Sequence, residues 1–311
     1  MPIVPTNVPM TSKLCQQCLA ALVEAYPTLR LRRLTETAYG RPVSALVLGE
    51  GERQVLFTAA HHANEWITAA LLLKFAEELA SAQQSGGSIY GVPGNLIFQY
   101  ATVHLVPMVD PDGVDLVTGA IAEGSPEFLS AKQIADHFPQ IPFPSGWKAN
   151  LLGVDLNLQY PAGWLQAREI KFSQGFTRPA PRDYVGRAPF SQREPRALAA
   201  YTAQIDPALV LAYHTQGKVI YWQFRDYIVE GARELGAEFA RISGYTLEDT
   251  PYESSFAGYK DWFIQDWRRP GFTIECGRGE SPVPLSQFEE IYRDNVGILV
   301  TAALGLPGMG C

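Results

Sequence analysis

Short apolar runs rich in β-branched residues alternate with stretches of helical periodicity along the whole chain. That alternation restricts the fold more than any other feature of the sequence. Residues 43–48, 55–59, 96–109, 210–214 and 272–275 read as strands. Residues 13–26, 65–82, 191–205, 227–242 and 285–304 carry the stripe spacing of helices. Strands and helices that alternate in this way imply an α/β fold: a mixed, largely parallel twisted sheet with helices on both faces. No repeat, low-complexity tract or linker interrupts the pattern, so residues 1–311 are expected to form one domain. Two stretches, 120–147 and 157–189, are rich in Gly, Pro and aromatic residues and fit no regular element. Loops of that length in a compact domain usually wall a functional site.

Composition narrows the function. The chain has 25 Lys and Arg against 32 Asp and Glu, a formal net charge of −7. An acidic chain with scattered basic residues is a poor match for a phosphate backbone, so no nucleic-acid partner is expected. The longest apolar stretches, such as residues 69–73, are too short to span a bilayer. The first residues show no apolar segment after a basic start. Cys15, Cys18, Cys276 and Cys311 are too few and too scattered for a disulfide framework. Together these features lead us to expect a cytoplasmic protein with no membrane partner. Cys15 and Cys18 lie on the apolar stripe of a helix and are expected in the core. Cys311 ends a Gly-rich tail and is expected to be disordered.

Five histidines can be weighed one by one. His62 and Glu65, in AAHHANEW, sit three residues apart at a strand-to-helix junction, a spacing that lets both side chains reach one ion. A third ligand from a distant strand would complete a catalytic metal site with an open position. His214, at the end of LVLAYHTQG, occupies such a strand end, where reactive groups gather in α/β sheets. His104 reads as a core residue and His137 as a solvated loop residue. His61 is the rival of His62.

Several segments, in order, resemble the M14 zinc metallocarboxypeptidases. HHANEW is similar to the family's H-x-x-E-W signature, and MVDPDGVDL to its N-P-D-G segment, with Asp110 where Asn is usual. GVDLNLQYPAGW, HTQG and GYKDWF followed by FTIECGRG are similar to further family segments. The resemblance implies a zinc carboxypeptidase-like fold and one Zn2+ held by His62, Glu65 and His214. It makes Glu275 the general base and acid, and Lys148 the donor to the tetrahedral intermediate. It gives Asn157 contact with a substrate carboxylate, and offers Tyr252 or Tyr259 as the family's mobile tyrosine.

One position departs from the digestive members, in which an Arg follows the Asn and clamps the terminal carboxylate. This chain has Leu158 there, which offers no donor. The surrounding residues resemble instead the γ-D-glutamyl-diaminopimelate peptidases of the same family. The implied substrate is a murein-derived peptide, cleaved between γ-D-glutamate and meso-diaminopimelate. Recognition is then expected from other charged residues, for which Arg187, Arg193 and Arg278 are candidates. The alternatives are a carboxypeptidase of other specificity, a zinc amidohydrolase of N-acyl amino acids, and a non-catalytic binding protein.

Overall fold

A computed structural model describes residues 2–306; Cys311 and its expected disorder lie outside them. The strands are β1 (Arg30–Glu36), β2 (Pro42–Leu48), β3 (Arg53–Ala59), β4 (Ser88–Ile89), β5 (Val92–Pro93), β6 (Ala101–Val106), β7 (Leu209–Thr215), β8 (Val219–Tyr221), β9 (Thr246–Glu248) and β10 (Gly271–Cys276). The helices are α1 (Ser12–Ala25), α2 (Ile67–Ser85), α3 (Gly94–Tyr100), α4 (Pro111–Val117), α5 (Pro126–Ala135), α6 (Trp164–Ser173), α7 (Arg193–Ile205), α8 (Ala232–Ser243), α9 (Tyr259–Trp267) and α10 (Phe288–Leu304).

An eight-stranded sheet runs in the order β1-β2-β6-β3-β7-β10-β8-β9. Its four central strands, β6, β3, β7 and β10, are mutually parallel. Antiparallel pairings join β1 to β2, β2 to β6 and β10 to β8. Every residue of β6 and β7 is buried, because helices cover both faces. Alternation along β7 sends Leu209, Leu211 and Tyr213 to the face packed by α1, α2, α8 and α10. Val210 and Ala212 point the other way, toward α6, α7 and α9. The same parity puts His214 and, on β10, Thr273 and Glu275 on that second face.

Some elements differ from the sequence reading. Residues 96–109 are not one strand, because α3 occupies Gly94–Tyr100 before β6 begins. Ile97 and Phe98 are buried while Leu96 is half exposed, a helical pattern that a short apolar run hides. The stretch 120–147 contains α5, and 157–189 contains α6. The edge strand β1 is mostly exposed and carries three arginines, so no apolar alternation announced it. Cys15 and Cys18 are buried and free, as their place on the stripe implied.

His104 lies buried in β6 as expected, between the Tyr201 hydroxyl (2.6 Å) and Gln54 Oε1 (2.8 Å). The pair suits a neutral ring, with Nδ1 accepting and Nε2–H donating. Burial first, then the charges of Arg32 and Arg30, lowers its pKa to about 4. The unfolded chain therefore binds more protons than the native state between about pH 4 and 6.5, and stability rises with pH across that window. We expect His104 to withdraw about 3 kcal/mol as pH falls through it. Denaturation midpoints at pH 5 and 6.5 should accordingly differ less in His104→Gln than in the wild type. Equal differences would rule out this role.

Candidate active site

The site forms where β3, β7 and β10 end. Ala60 leaves β3 with φ 46° and its N–H donates to the Thr68 hydroxyl (3.0 Å). That hydroxyl donates in turn to the Glu65 carbonyl (2.7 Å), which closes the turn over a short 3-10 helix, Ala63–Glu65. Glu65 therefore precedes α2 instead of opening it. His62 lies just before that 3-10 helix in an extended conformation.

Three side-chain ligand atoms converge. His62 Nδ1 lies 2.9 Å from one Glu65 oxygen, and His214 Nδ1 lies 2.9 Å from the other. The two Nδ1 atoms are 3.2 Å apart. Two imidazole lone pairs and a carboxylate facing one point form a donor set that a divalent cation satisfies, and the N, N, O combination suits zinc. Among the described residues this is the one His/Cys/Asp/Glu group with metal-binding spacing. His61, the rival of His62, instead packs beneath the site. Its ring stacks on His214 (5.7 Å, 22°) and on Tyr259 (5.6 Å, 29°).

Asp155 is a residue that the sequence reading passed over, although it stands inside the GVDLN segment. Its Oδ1 lies 3.2 Å from His62 Nε2, which orients the ring so that Nδ1 faces the centre. Its Oδ2 accepts from the Asp183 backbone N–H (3.2 Å). Burial opposes its charge, yet His62 and that N–H hold the carboxyl well below the usual range. His214 has no such partner: its Nε2 is buried and unpaired, and the ring is held by Glu65 at Nδ1 and by stacking on His61.

Glu275 sits opposite His214 in the β7–β10 register. Burial, then repulsion from Glu65, pushes its carboxyl up to about 8. Lys148 Nζ is 3.1 Å from Glu65 Oε1. Burial works against its ammonium, but Glu65, Glu275 and Asp155 together outweigh it and the pKa lies above the ordinary value. The Lys148 carbonyl accepts from the Ala63 N–H (3.0 Å), which fastens this segment to the metal-binding turn.

Asp110 caps α4 by accepting from the Gly113 N–H (2.9 Å). Burial lifts its carboxyl well above the usual range, at the position where the resemblance expects Asn. Gly113 must lack a side chain, because a Cβ there would lie 2.5 Å from the Ala149 carbonyl.

The chain from residue 15 to 297 matches the family model for M14 zinc carboxypeptidases. It belongs to that family. A gamma-D-glutamyl-L-diamino acid endopeptidase 1 of Lysinibacillus sphaericus is 42% identical over 281 residues, which cover 90% of this chain and 68% of that protein. The crystal structure of thrombin activatable fibrinolysis inhibitor shares the fold. Its TM-score is 0.73 at 15% identity, over 97% of this chain and 76% of that one. Murein-tripeptide amidase MpaA from Escherichia coli O157 superimposes with a TM-score of 0.54 at 17% identity, over 90% of this chain and 93% of that one. The protein is thus an M14 zinc metallopeptidase.

A single cavity holds most of the expected M14 site residues. His62, Lys148, Asn157, Leu158, His214, Tyr259 and Glu275 all line it. Asn157 Oδ1 accepts from the Tyr259 N–H (3.1 Å), which leaves its Nδ2 as the free donor. Five residues depart from expectation. Arg187, Arg193 and Arg278 are exposed and lie outside the cavity lining, Arg193 as the first residue of α7 and the other two in loops. Tyr252 is 71% exposed and reaches the cavity only through edge contact with Phe256. Tyr259 is fully buried and its hydroxyl pairs with Thr202 (2.8 Å), so it is a wall and has little freedom to swing. The charged residues that do line the cavity are Lys171, Arg182, Asp183, Lys260 and Asp261, beside Lys148, Asp155 and Glu275. Their signal in the sequence was weak, because no spacing links Arg182 to Lys260.

Proposed function

We propose that this peptidase hydrolyses the amide between γ-D-glutamate and meso-diaminopimelate in murein-derived peptides. The carrying observation is the cavity wall. Leu158 stands where the digestive members hold their carboxylate clamp, while Lys171–Asp183 (2.8 Å) and Lys260–Asp261 (2.6 Å) pairs line the same cavity. Such a wall suits a substrate with both amines and carboxylates near the scissile bond. The 42% identity to a protein named for γ-D-glutamyl-L-diamino acid cleavage supports this reading.

His62, Glu65 and His214 would hold the zinc, which supplies an acidified water and a polarised carbonyl when bound. Glu275 takes the proton of the attacking water and returns it to the departing amine. Lys148 donates to the oxygen on which negative charge develops. Asp155 keeps His62 in the tautomer that leaves Nδ1 free. Asn157 Nδ2 donates to a substrate carboxylate. This reading takes residues 1–311 as one domain. A cytoplasmic site of action agrees with the free thiols of Cys15, Cys18 and Cys276. Among the described residues no helix is long and apolar enough to cross a membrane.

Product analysis by mass spectrometry tests the substrate. Zinc-loaded protein should release diaminopimelate from L-Ala-γ-D-Glu-meso-diaminopimelate and leave ordinary peptides intact. Trimming of ordinary peptides alone would keep the chemistry and overturn the specificity. No cleavage of either would favour an N-acyl amino acid substrate or a binding role. Leu158→Arg should raise cleavage of ordinary C-terminal residues, relative to diaminopimelate, by about tenfold or more, the value of a charge-assisted bond. An unchanged ratio of kcat/KM values would count against position 158.

A further inference from the structure

The cavity cations differ in what they have left to offer. Lys148 is engaged by Glu65. Lys260 donates to the Gln223 carbonyl (2.7 Å) and the Thr250 hydroxyl (3.3 Å), and its charge is paired with Asp261 (2.6 Å). Lys171 pairs with Asp183 at 2.8 Å. Arg182 differs from all three. Its Nε is anchored on Asp183 Oδ2 (2.7 Å), and among the described residues neither of its Nη atoms has a hydrogen-bond acceptor. Its side chain is 41% exposed, at the rim of the cavity.

Its position is also fixed relative to the metal site. Asp183, with φ 66°, donates its backbone N–H to Asp155, which holds His62. The guanidinium is therefore tied through one residue to the shell of the zinc ligands, and its charge is felt at Lys148. One Asp183 carboxylate is shared between two cations, Lys171 and Arg182. A fork with a fixed Nε and free Nη donors matches a carboxylate.

We propose that Arg182 is the substrate-carboxylate clamp of this enzyme, supplied from the segment before α7 in place of the donor that Leu158 does not offer. The assignment rests on the peptidase reading above. A γ-linked substrate presents a free carboxylate on each side of the scissile amide: the α-carboxylate of the glutamate, and those of the diamino acid. Arg182 binds one of them.

The test is a set of Arg182→Gln and Arg182→Lys variants, assayed zinc-loaded on three substrates. These are L-Ala-γ-D-Glu-meso-diaminopimelate, its analogue with the glutamate α-carboxylate as a carboxamide, and its analogue with the diamino acid carboxylates as carboxamides. Arg182→Gln should raise KM on the parent about tenfold to a hundredfold, with kcat held within about threefold. Arg182→Lys should fall between, keeping the charge and losing the fork. On the carboxamide that removes the recognised group, wild type and variant should converge, and which analogue does so identifies the carboxylate. Equal losses on all three substrates, or a KM within about twofold on the parent, overturn the clamp. Unchanged zinc content and thermal midpoint in Arg182→Lys separate binding from misfolding. If the wild type cleaves only ordinary peptides, the substrate reading fails. The clamp is then decided by the same comparison on a peptide and its C-terminal carboxamide: convergence supports it, parallel losses overturn it.

Discussion

Substituting glutamine for Glu275 is expected to lower kcat by about a hundredfold to ten-thousandfold, the usual contribution of a positioned acid–base group. Glutamine matches the volume and can still accept a hydrogen bond, but it takes no proton from water and returns none to an amine. The ligands His62, Glu65 and His214 are separate residues, so zinc content should be unchanged. Glu275 sits in register with His214 through the β7–β10 ladder, so the backbone that places it does not depend on its charge. The residual rate would come from zinc, Lys148 and substrate orientation. Zinc stoichiometry together with kcat on the γ-D-glutamyl substrate provides the check. A loss below about tenfold would mean that another group serves as the base. A loss of zinc would mean that Glu275 supports the metal site.

The difference between what the sequence revealed and what it concealed has a physical origin. Central parallel strands are buried on both faces, so β3 and β7 appear as apolar runs that end at His62 and His214. The metal triad was legible for that reason: two ligands share one turn and the third ends a neighbouring strand. Lys148 was legible only through resemblance, since its 3.1 Å contact with Glu65 bridges 83 residues of sequence. Asp155 was overlooked because a carboxylate that orients a histidine leaves no periodic trace, although it lay two residues from Asn157. Exposed edge β1 lacks alternation, and β8 and β9, three residues each, are too short to show a period, so all three stayed hidden. The arginines chosen from wall segments were misplaced for a related reason. The loop at 182–187 turns Arg182 to the cavity and Arg187 to solvent, and that turn depends on Asp183 adopting a positive φ to reach Asp155. A contact of that kind exists only in the folded chain.

Removing a zinc ligand should separate the metal from the fold. His214→Ala is expected to lose stoichiometric zinc and bring activity to background. Asp155→Asn should cost only about tenfold to a hundredfold in metal affinity, because it disturbs the orientation of His62 and leaves all three donors in place. Neither variant should lose the sheet. The β7 backbone is held on both sides by β3 and β10, and the cores on its two faces are built from Leu209, Leu211 and Tyr213 and from Val210 and Ala212. Circular dichroism of metal-free wild type and His214→Ala should therefore coincide, and added zinc should raise the thermal midpoint of the wild type alone. His61 makes this a demanding test. Its ring stacks 5.7 Å from His214 and its Nδ1 is buried without a partner, so it is the nearest substitute ligand. If His214→Ala still binds one zinc, the double variant with His61→Ala decides the matter. Loss of zinc only in the double variant would make His61 a reserve ligand. Retention in both would remove His214 from the metal site.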